Sequence, residues 1–295
     1  MNNTTIHVVG DLLLDCELQA RSRENYEGAS VCLTGEQWVY YPGGAANVAC
    51  LLRTFGCDVV LWGVVGPDWA AEKLVRILTQ CGVEHEQSLG ALAVQTPTKM
   101  RTYADGLTVR IDCEHPFPTA WPLSEFEEIG KGADCVVFSD YNKGVFGPHV
   151  KDEVQSIIKK VPLTVVDPRP TDYLDIWEGA TVATPNRREY FEMCSNVQRC
   201  GYAKEASFWI ESKYLAVTNG EDGAEVSGQG IAVITRKPRH VENPQVVGAG
   251  DAFTAGLSAA LAKGETIIGA TQQGVDFATD YVSKSRNEVY HFPEK

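Results

Sequence analysis

Short apolar runs rich in β-branched residues alternate along most of the chain with longer segments whose apolar positions recur at helical spacing. The runs at 6–10 and 59–65 are continuously apolar, which is typical of strands buried on both faces of a parallel sheet. Further strands are predicted at 135–139, 163–167, 181–184 and 214–218, with a hairpin at 224–227 and 231–235. Helices are predicted at 46–55, 69–81, 149–160, 189–194, 203–212, 252–262 and 267–284. This order predicts an α/β fold in which helices cover both faces of a mainly parallel central sheet.

Two stretches of mixed polarity interrupt this alternation. Residues 12–18 and 31–41 are strand-like, with a polar, turn-rich segment at 20–30 between them, and a second pair of strands is predicted at 98–104 and 108–113. The second pair is joined by Asp105-Gly106, and Asp-Gly between two alternating runs is a strong hairpin signal. We therefore expect a single domain, 1–295, with a small β-sheet lid inserted at about 12–41 and 98–113.

A glycine-rich turn leads directly into an apolar helix at Gly248-Ala249-Gly250-Asp251. Its glycines let the backbone approach a ligand closely, and the N–H groups at a helix start attract anions. A phosphoryl group in transfer therefore fits against Gly248, Ala249 and Gly250, and Asp251 has the chemistry to accept the proton of an attacking hydroxyl. The alternative is that Asp251 is only a helix N-cap, a position that Asp favours.

Four other motifs accompany this turn, and the five together resemble those of the ribokinase-like (PfkB) carbohydrate kinases. In chain order they are Gly10-Asp11 with Asp15, the stretch 42–49 (PGGAANVA), the stretch 184–189 (TPNRRE), the stretch 217–223 (VTNGEDG) and the turn at 248–251. The resemblance implies a three-layer ribokinase-like fold. It also implies that the γ-phosphoryl group of ATP is transferred to a sugar hydroxyl in the presence of Mg²⁺, with Asp251 as the general base.

The same resemblance implies roles for the other motif residues. The sugar would be bound by Asp11, Asp15, Gly43, Gly44 and Asn47. The nucleotide would be bound by Asn186, Glu189, Thr218, Gly220 and Gly223. Asn186 and Glu189 would also hold Mg²⁺, which keeps several waters, through its hydration shell. Because these two residues stand three apart, they fit a helix capping box as well, and the two roles are compatible.

Within the family, four stretches resemble the kinase domain of bifunctional heptose-phosphate enzymes, in which the acceptor is the anomeric hydroxyl of a heptose 7-phosphate. They are 98–101 (TKMR), 109–112 (VRID), 139–144 (SDYNKG) and 166–169 (VDPR). They add to the substrate site Lys99, Arg101, Arg110, Asp140, Lys143 and Arg169. Lys and Arg bind phosphate by charge-assisted hydrogen bonds, although each of these cations alone is also compatible with a solvated surface side chain.

Three residues depart from the pattern of these relatives. Gln245 and Val247 stand where the family usually has Asp and Thr, which leaves activation by a monovalent cation such as K⁺ open. Arg169 stands where the heptose-phosphate enzymes commonly have Lys, and the two side chains are not equivalent.

Composition limits the kinds of partner that the protein is expected to bind and the cellular compartment in which it is expected. The net charge of −13 and the pI near 4.9 disfavour nucleic acid as a partner, and no apolar run is long enough to span a membrane. The 9 cysteines include no CxxC pair and no secretory leader opens the chain, so we expect reduced thiols in a cytoplasmic protein. By analogy of fold, the open edges of lid strands favour a homodimer.

Two alternatives stay open at this point. One is a kinase of ribose, fructose, another hexose or a nucleoside, and the other is a catalytically weak sugar-binding regulator with the kinase fold. Gln245 favours the regulator, whereas intact Asp251, Asn186 and Glu189 disfavour it. A dinucleotide-binding dehydrogenase is disfavoured because Gly10 is not followed by a Gly-x-Gly-x-x-Gly turn. No His-x-x-His motif is present, so we expect no nucleotidyltransferase activity in this chain.

Overall fold

Strands and helices follow one another in the order that the apolar pattern predicts, with additions in the polar stretches. The computed structural model describes residues 3–25, 28–32, 38–89, 94–114, 126–199 and 212–290. Its strands are β1 (Thr5–Gly10), β2 (Leu12–Asn25), β3 (Gly28–Cys32), β4 (Val39–Gly44), β5 (Asp58–Val65), β6 (Glu84–Leu89), β7 (Thr98–Ala104), β8 (Leu107–Cys113), β9 (Cys135–Ser139), β10 (Thr164–Asp167), β11 (Val182–Ala183), β12 (Tyr214–Thr218), β13 (Ala224–Gly228) and β14 (Ile231–Arg236). Its α-helices are α1 (Ala45–Thr54), α2 (Trp69–Gln80), α3 (Lys151–Lys160), α4 (Arg187–Arg199), α5 (Ala249–Ala262), α6 (Ile267–Val282) and α7 (Arg286–Tyr290). No helix in the described ranges combines the length and the apolar character needed to cross a bilayer.

A nine-stranded sheet forms the centre of the fold, in the order β14-β13-β12-β11-β10-β9-β1-β5-β6. The strands from β12 to β6 pair in parallel, and β13 and β14 extend the sheet as antiparallel strands. In β1, Ile6 and Val8 pack in the core cluster that also contains residues of α1, α2, α5 and α6, and Val9 packs in a second cluster with residues of α3. The middle strands are therefore mainly apolar because each face of the sheet meets its own core.

A second, smaller sheet contains β2, β3, β4, β7 and β8. β2 pairs antiparallel with β3 and β4 and parallel with β7, and β7 forms an antiparallel hairpin with β8. The hairpin turn is the predicted Asp105-Gly106, whose φ angles of 47° and 86° are positive, as this type of two-residue turn requires. These strands are the described parts of the two stretches of mixed polarity. The prediction of an α/β fold with a small additional sheet is thus confirmed.

Several local predictions were wrong or incomplete. The polar stretch at 20–30 is mainly strand rather than turn, because the end of β2 pairs with β3 and this pairing outweighs the lack of an apolar pattern. The edge strand β6 and the short helix α7 were not predicted. The predicted helix at 203–212 lies, apart from Ser212, outside the described residues, as do residues 33–37 of the predicted strand at 31–41.

Candidate active site

The turn before α5 has a backbone conformation that requires glycine. Gly248 is the N-cap of α5 and has a φ of 87°, in the left-handed region. A Cβ at this position would lie 2.5 Å from Tyr281 Oη and 2.8 Å from Asn47 Nδ2. The turn is therefore packed tightly against α1 and α6, and any larger residue would displace it.

Two residues further on, the same turn faces open space. A Cβ at Gly250 would meet no other part of the described chain within 4 Å, and the residue is exposed. The N–H of Ala249 donates to the carbonyl of Val246 at 3.2 Å. The amides that follow, of Gly250 and Asp251, belong to the first turn of the helix, where a helix itself supplies no acceptor. The space and the amides fit an anion at the start of α5.

Asp251 lies in the first turn of α5 in buried but polar surroundings. Its residue exposure is 3%, its Oδ1 accepts a hydrogen bond from Tyr141 Oη at 2.7 Å, and its Oδ2 accepts one from Asn47 Nδ2 at 2.6 Å. Burial raises the pKa of Asp251, while the two hydrogen bonds and the charge of Arg169 oppose this shift. The contact with Asn47 brings the C-terminal glycine turn and the 42–49 motif together, as the resemblance implies.

A cavity of about 670 Å³ opens beside this carboxylate. Tyr141 and Gly248, which contact or flank Asp251, form part of its wall. Seven of the predicted substrate-binding residues line it, namely Asp15, Gly44, Lys99, Arg101, Arg110, Lys143 and Arg169. The other four, Asp11, Gly43, Asn47 and Asp140, do not. The cavity therefore collects all five predicted cations in one place.

Four of the five cations are paired with carboxylates. The pairs are Arg101 with Asp15 at 3.3 Å, Arg110 with Asp112 at 2.6 Å, Lys143 with Glu114 at 2.6 Å, and Arg169 with Glu189. Lys99 Nζ instead lies 4.8 Å from the centre of the Tyr141 ring. Burial lowers the pKa of Lys99, and the neighbouring Lys143, Arg169 and Arg110 lower it further, while Asp15 opposes them. Within the described residues Lys99 has no ion pair, so it is the cation best placed to bind an incoming anion.

Arg169 connects the cavity to the nucleotide motif. Its guanidinium lies 4.6 Å from the centre of the Tyr141 ring on one side and forms an ion pair with Glu189. Tyr141 is thus contacted by Arg169 and Lys99 and also holds Asp251. It stands within the stretch 139–144, where nothing in the amino-acid pattern distinguishes it from its neighbours.

Asp15 is held by two arginines, one of which the sequence did not identify. Arg286, from α7, donates to Asp15 Oδ2 at 3.0 Å and to Glu17 Oε1 at 2.9 Å, while Arg101 lies 3.3 Å from Asp15 Oδ1. Arg286 is 4% exposed, and its guanidinium also lies over the ring of Tyr41, 4.2 Å from its centre. The carboxylate expected to bind sugar hydroxyls is therefore already neutralised by protein cations.

Asp11 does not line the cavity, although the family resemblance implies that it binds the sugar. It is fully buried, and its carboxylate accepts the backbone N–H groups of Tyr141 at 2.8 Å, Lys143 at 3.0 Å and Val145 at 3.2 Å. Burial raises the pKa of Asp11, and these backbone hydrogen bonds oppose the shift. Asp11 thereby fixes the loop that carries Tyr141 and Lys143 instead of lining the cavity.

Asp140 is also buried behind the cavity wall, at 1% exposure. Its Oδ1 accepts the N–H of Asn142 at 2.7 Å, and its Oδ2 has no hydrogen-bond partner among the described residues. Burial, together with the nearby charge of Asp11, raises the pKa of Asp140 to about 8. A carboxyl group in this position supports the loop at residues 141–145 and does not reach the cavity.

Asn186 and Glu189 form the capping box that was the alternative interpretation of their spacing. Asn186 Oδ1 accepts the N–H of Glu189 and Glu189 Oε2 accepts the N–H of Asn186, each at 2.9 Å. The remaining Glu189 oxygen pairs with Arg169. In the described part of the chain, no group of three or more His, Cys, Asp or Glu side chains could hold a metal ion. With their oxygens occupied in this way, the two residues fit Mg²⁺ only through water.

The second glycine turn, after β12, is held by backbone contacts. Gly220 and Gly223 have φ angles of 54° and 86°, and Asn219 N–H donates to the carbonyl of Gly223 at 2.7 Å. A Cβ at Gly223 would lie 1.9 Å from the carbonyl oxygen of Arg236, whereas one at Gly220 would meet nothing within 4 Å. Thr218 precedes the turn and forms an isolated parallel bridge with Asn186, so these two of the predicted nucleotide-binding residues lie next to each other.

Comparison with known proteins identifies the family to which the chain belongs. The model of the family described as pfkB family carbohydrate kinase matches residues 3–287, so the chain belongs to this family. The chain is accordingly a domain of the pfkB carbohydrate kinase family.

Curated relatives include the bifunctional protein HldE of Pseudomonas putida strain W619, which is 34% identical over 274 residues, covering 88% of this chain and 56% of the relative. The bifunctional protein HldE of Azotobacter vinelandii is 32% identical over 277 residues, covering 90% of this chain and 57% of the relative. This chain thus spans about half the length of these two curated relatives.

Solved structures share the fold at low sequence identity. The tetrameric inhibited form of phosphofructokinase-2 from Escherichia coli has a TM-score of 0.77 at 18% identity, covering 95% of this chain and 94% of that one. Arabidopsis thaliana ribokinase complexed with ribose and ATP has a TM-score of 0.74 at 17% identity, covering 96% of this chain and 94% of that one. The predicted ribokinase-like fold is thereby confirmed.

Proposed function

We propose that this kinase transfers the γ-phosphoryl group of ATP to the anomeric hydroxyl of a sugar phosphate of the heptose 7-phosphate type, with Asp251 as the general base. The main observation that supports this proposal is a cavity lined by five cationic side chains. Its wall also includes Tyr141, which donates a hydrogen bond to Asp251. The relatives named bifunctional protein HldE, which match 88–90% of this chain, support the choice of sugar, as do the stretches that resemble heptose-phosphate enzymes.

Asp251 is suited to take the proton of the acceptor hydroxyl. Each oxygen of an ionised carboxylate has two acceptor positions, so the bonds from Tyr141 and Asn47 leave room for a third partner. Those two bonds hold the carboxylate in one orientation, and orientation is a large part of what a general base contributes. The raised pKa of Asp251 brings it closer to the pH at which the enzyme works.

The start of α5 is the proposed binding place for the phosphoryl group. The open space at Gly250 and the amides of Gly250 and Asp251, in the first turn of the helix, fit an anion in contact with the helix N-terminus. We propose that the turn with Thr218, Gly220 and Gly223 contacts the nucleotide. Mg²⁺, held through water by Asn186 and Glu189, would supply positive charge that offsets the charge of the phosphates.

The five cations are the proposed binding place for the phosphate that the sugar already carries. Lys99 has no ion pair in the described ranges, and the ion pairs of Arg110 and Lys143 with Asp112 and Glu114 are partly exposed, so they can exchange partners. A phosphate accepts several charge-assisted hydrogen bonds at once. A free sugar would leave the same cations without a counter-charge.

The test is a substrate panel assayed for ADP release with ATP and Mg²⁺. We expect kcat/KM for heptose 7-phosphate to exceed that for free heptose, ribose and fructose by about 100-fold or more, the scale of two charged hydrogen bonds. Turnover of free sugars without turnover of sugar phosphates would exclude the proposal. Asp251→Asn should lower kcat by roughly 100-fold or more, whereas Asp276→Asn, on the exposed side of α6, should not.

The organisation of the chain is part of the same proposal. We propose one kinase domain, with the small sheet formed by parts of 12–41 and 98–113 as its lid. The lid edge strand β8 exposes Leu107 at 39% and Ile111 at 55%, which supports a homodimer through this edge. Ile111→Asp should then convert a dimer to a monomer in light scattering, and a wild-type monomer would refute the dimer. The free thiols at Cys16, Cys50, Cys57, Cys81, Cys113, Cys135 and Cys194 support a cytoplasmic location.

A further inference from the structure

The short helix α7 is fastened to the small sheet by polar contacts. Arg286 donates to Asp15 and Glu17 of β2 and, at 3.2 Å, to the carbonyl of Pro42 in β4. Asn287 Oδ1 accepts the hydroxyl of Tyr41 at 2.9 Å. Since Arg286 is almost fully buried, these contacts hold the helix in one position relative to β2 and β4.

The last residue of α7 reaches the proposed base through one intermediate side chain. Tyr290 Oη donates to Asn47 Oδ1, and Asn47 Nδ2 donates to Asp251 Oδ2 at 2.6 Å. Asn47 is 1% exposed, so the environment that decides which end of its amide faces Asp251 is made by protein groups. In the opposite orientation, an amide oxygen would face the carboxylate and an NH₂ group would face the tyrosine hydroxyl.

We propose that Tyr290 is a positioning residue for Asp251 that acts through Asn47. Its hydroxyl donates to the oxygen end of the amide and thereby keeps the NH₂ end directed at the carboxylate. The inference rests on the proposed role of Asp251 as base. Burial raises the pKa of Tyr290 well above its usual range, so the hydroxyl remains a donor over the pH range of an enzyme assay.

The consequence is a pH dependence with a defined sign. A donor to the ionised carboxylate favours the charged form, so the bond from Asn47 lowers the pKa of Asp251 against the effect of burial. Loss of Tyr290 Oη lets the amide turn and weakens that bond, which raises the pKa of the base. The other titratable or charged groups that face Asp251 are Tyr141, Arg169, Asp15, Asp167 and Tyr281. Tyr290→Phe leaves the charged groups among them in place and changes the surroundings of Tyr281 alone, whose hydroxyl interacts with that of Tyr290.

The experiment compares Tyr290→Phe with Tyr41→Phe. Both variants remove one hydroxyl that ties α7 to its neighbours, but the hydroxyl of Tyr41 donates to Asn287, whereas that of Tyr290 donates to Asn47. For Tyr290→Phe we expect the acid limb of kcat/KM against pH to move up by roughly 0.5–1 pH unit, so that activity is lost at low pH and recovered at high pH. For Tyr41→Phe we expect the wild-type limb. An unshifted limb in Tyr290→Phe, or an equal shift in both variants, would overturn the proposal.

Two further variants test the route and separate this inference from the proposed function. Asn47→Ala should shift the limb at least as far as Tyr290→Phe, and adding Tyr290→Phe to Asn47→Ala should cause no further shift. Additive shifts would mean that Tyr290 acts by another route and would contradict the proposal. Asp251→Asn reports on the base alone: if it retains wild-type turnover the proposed function is wrong, whereas loss of turnover with an unshifted Tyr290→Phe profile refutes only the role of Tyr290.

Discussion

Replacing Asp140 by Asn should stabilise the protein at neutral pH, by an amount that grows as the pH rises. Asp140 is 1% exposed, and its pKa is raised from 3.8 to about 8 by burial and by the neighbouring Asp11. Asn preserves the acceptor that binds the N–H of Asn142 and puts an NH₂ group where the carboxyl oxygen has no partner in the described structure. The substitution therefore removes the titration while keeping the shape.

The sign and size follow from proton linkage. Because the folded pKa is raised, the folded state binds one more proton than the unfolded state between the two pKa values. The contribution of Asp140 to stability is therefore complete below the unfolded value and is lost as the pH rises towards about 8. Within this window the free energy of unfolding of the wild type should fall, relative to Asp140→Asn, by about 1.4 kcal/mol per pH unit.

Urea denaturation followed by tryptophan fluorescence measures this difference at intervals between roughly pH 5 and pH 7. Asp134→Asn, at an exposed position just before β9, is the matched control and should give a curve parallel to that of the wild type. Parallel curves for the wild type and Asp140→Asn would show that Asp140 is ionised in the folded protein. In that case the reasoning from its burial would be wrong.

Three other substitutions give distinct outcomes. Lys99→Met should raise KM for the sugar phosphate by roughly 10-fold or more with little change in kcat, because one charged hydrogen bond is lost, and Lys131→Met on the surface should change neither in steady-state assays. Gly250→Ala should leave the thermal midpoint unchanged, since its Cβ meets nothing in the described chain, yet lower kcat/KM for ATP by about 10-fold or more because the methyl group enters the proposed phosphate space. Gly223→Ala should lower the free energy of unfolding by about 1–3 kcal/mol, because its Cβ would lie 1.9 Å from the Arg236 carbonyl. An unchanged KM in Lys99→Met would contradict the first argument. An unchanged kcat/KM for ATP in Gly250→Ala would contradict the second, and an unchanged free energy of unfolding in Gly223→Ala would contradict the third.

Much of the fold could be predicted because the buried parallel strands appear in the sequence as continuous apolar runs. Strand β9, for example, is buried at every residue and is apolar except at its last residue, Ser139. Strand β6 was missed because its sequence, EHEQSL, has no apolar run, and it lies at the edge of the sheet where one neighbour is enough. The end of β2 was missed for the same reason, since it is held by pairing with β3 and not by an apolar face.

In the candidate site, the glycine turns could be predicted from the sequence, whereas the long-range side-chain contacts could not. Glycine turns can be predicted from the sequence because a backbone with positive φ strongly favours glycine, as at Gly248 with its φ of 87°. Arg286 and Tyr290 carried no signal, because each acts on partners more than 240 positions away in the sequence. Asp11 was assigned to the substrate because a motif gives the residue and its neighbourhood, but not the direction of its oxygens. That direction is decided by the three backbone amides of the loop at 141–145.

The distribution of charge around the cavity argues for an anionic sugar over a neutral one. Five cations and three carboxylates line it, and a fourth carboxylate, Glu189, pairs with Arg169. One positive charge, that of Lys99, is left without an ion pair among the described residues of a chain whose net charge is −13. Asp15, which would otherwise bind sugar hydroxyls, is held by Arg101 from the wall and by Arg286 from behind it. Lys99 is only partly exposed, and withdrawing a cation from water without a counter-charge costs free energy. A phosphate group would supply that counter-charge and a free sugar would not, which supports the proposal of a phosphorylated acceptor.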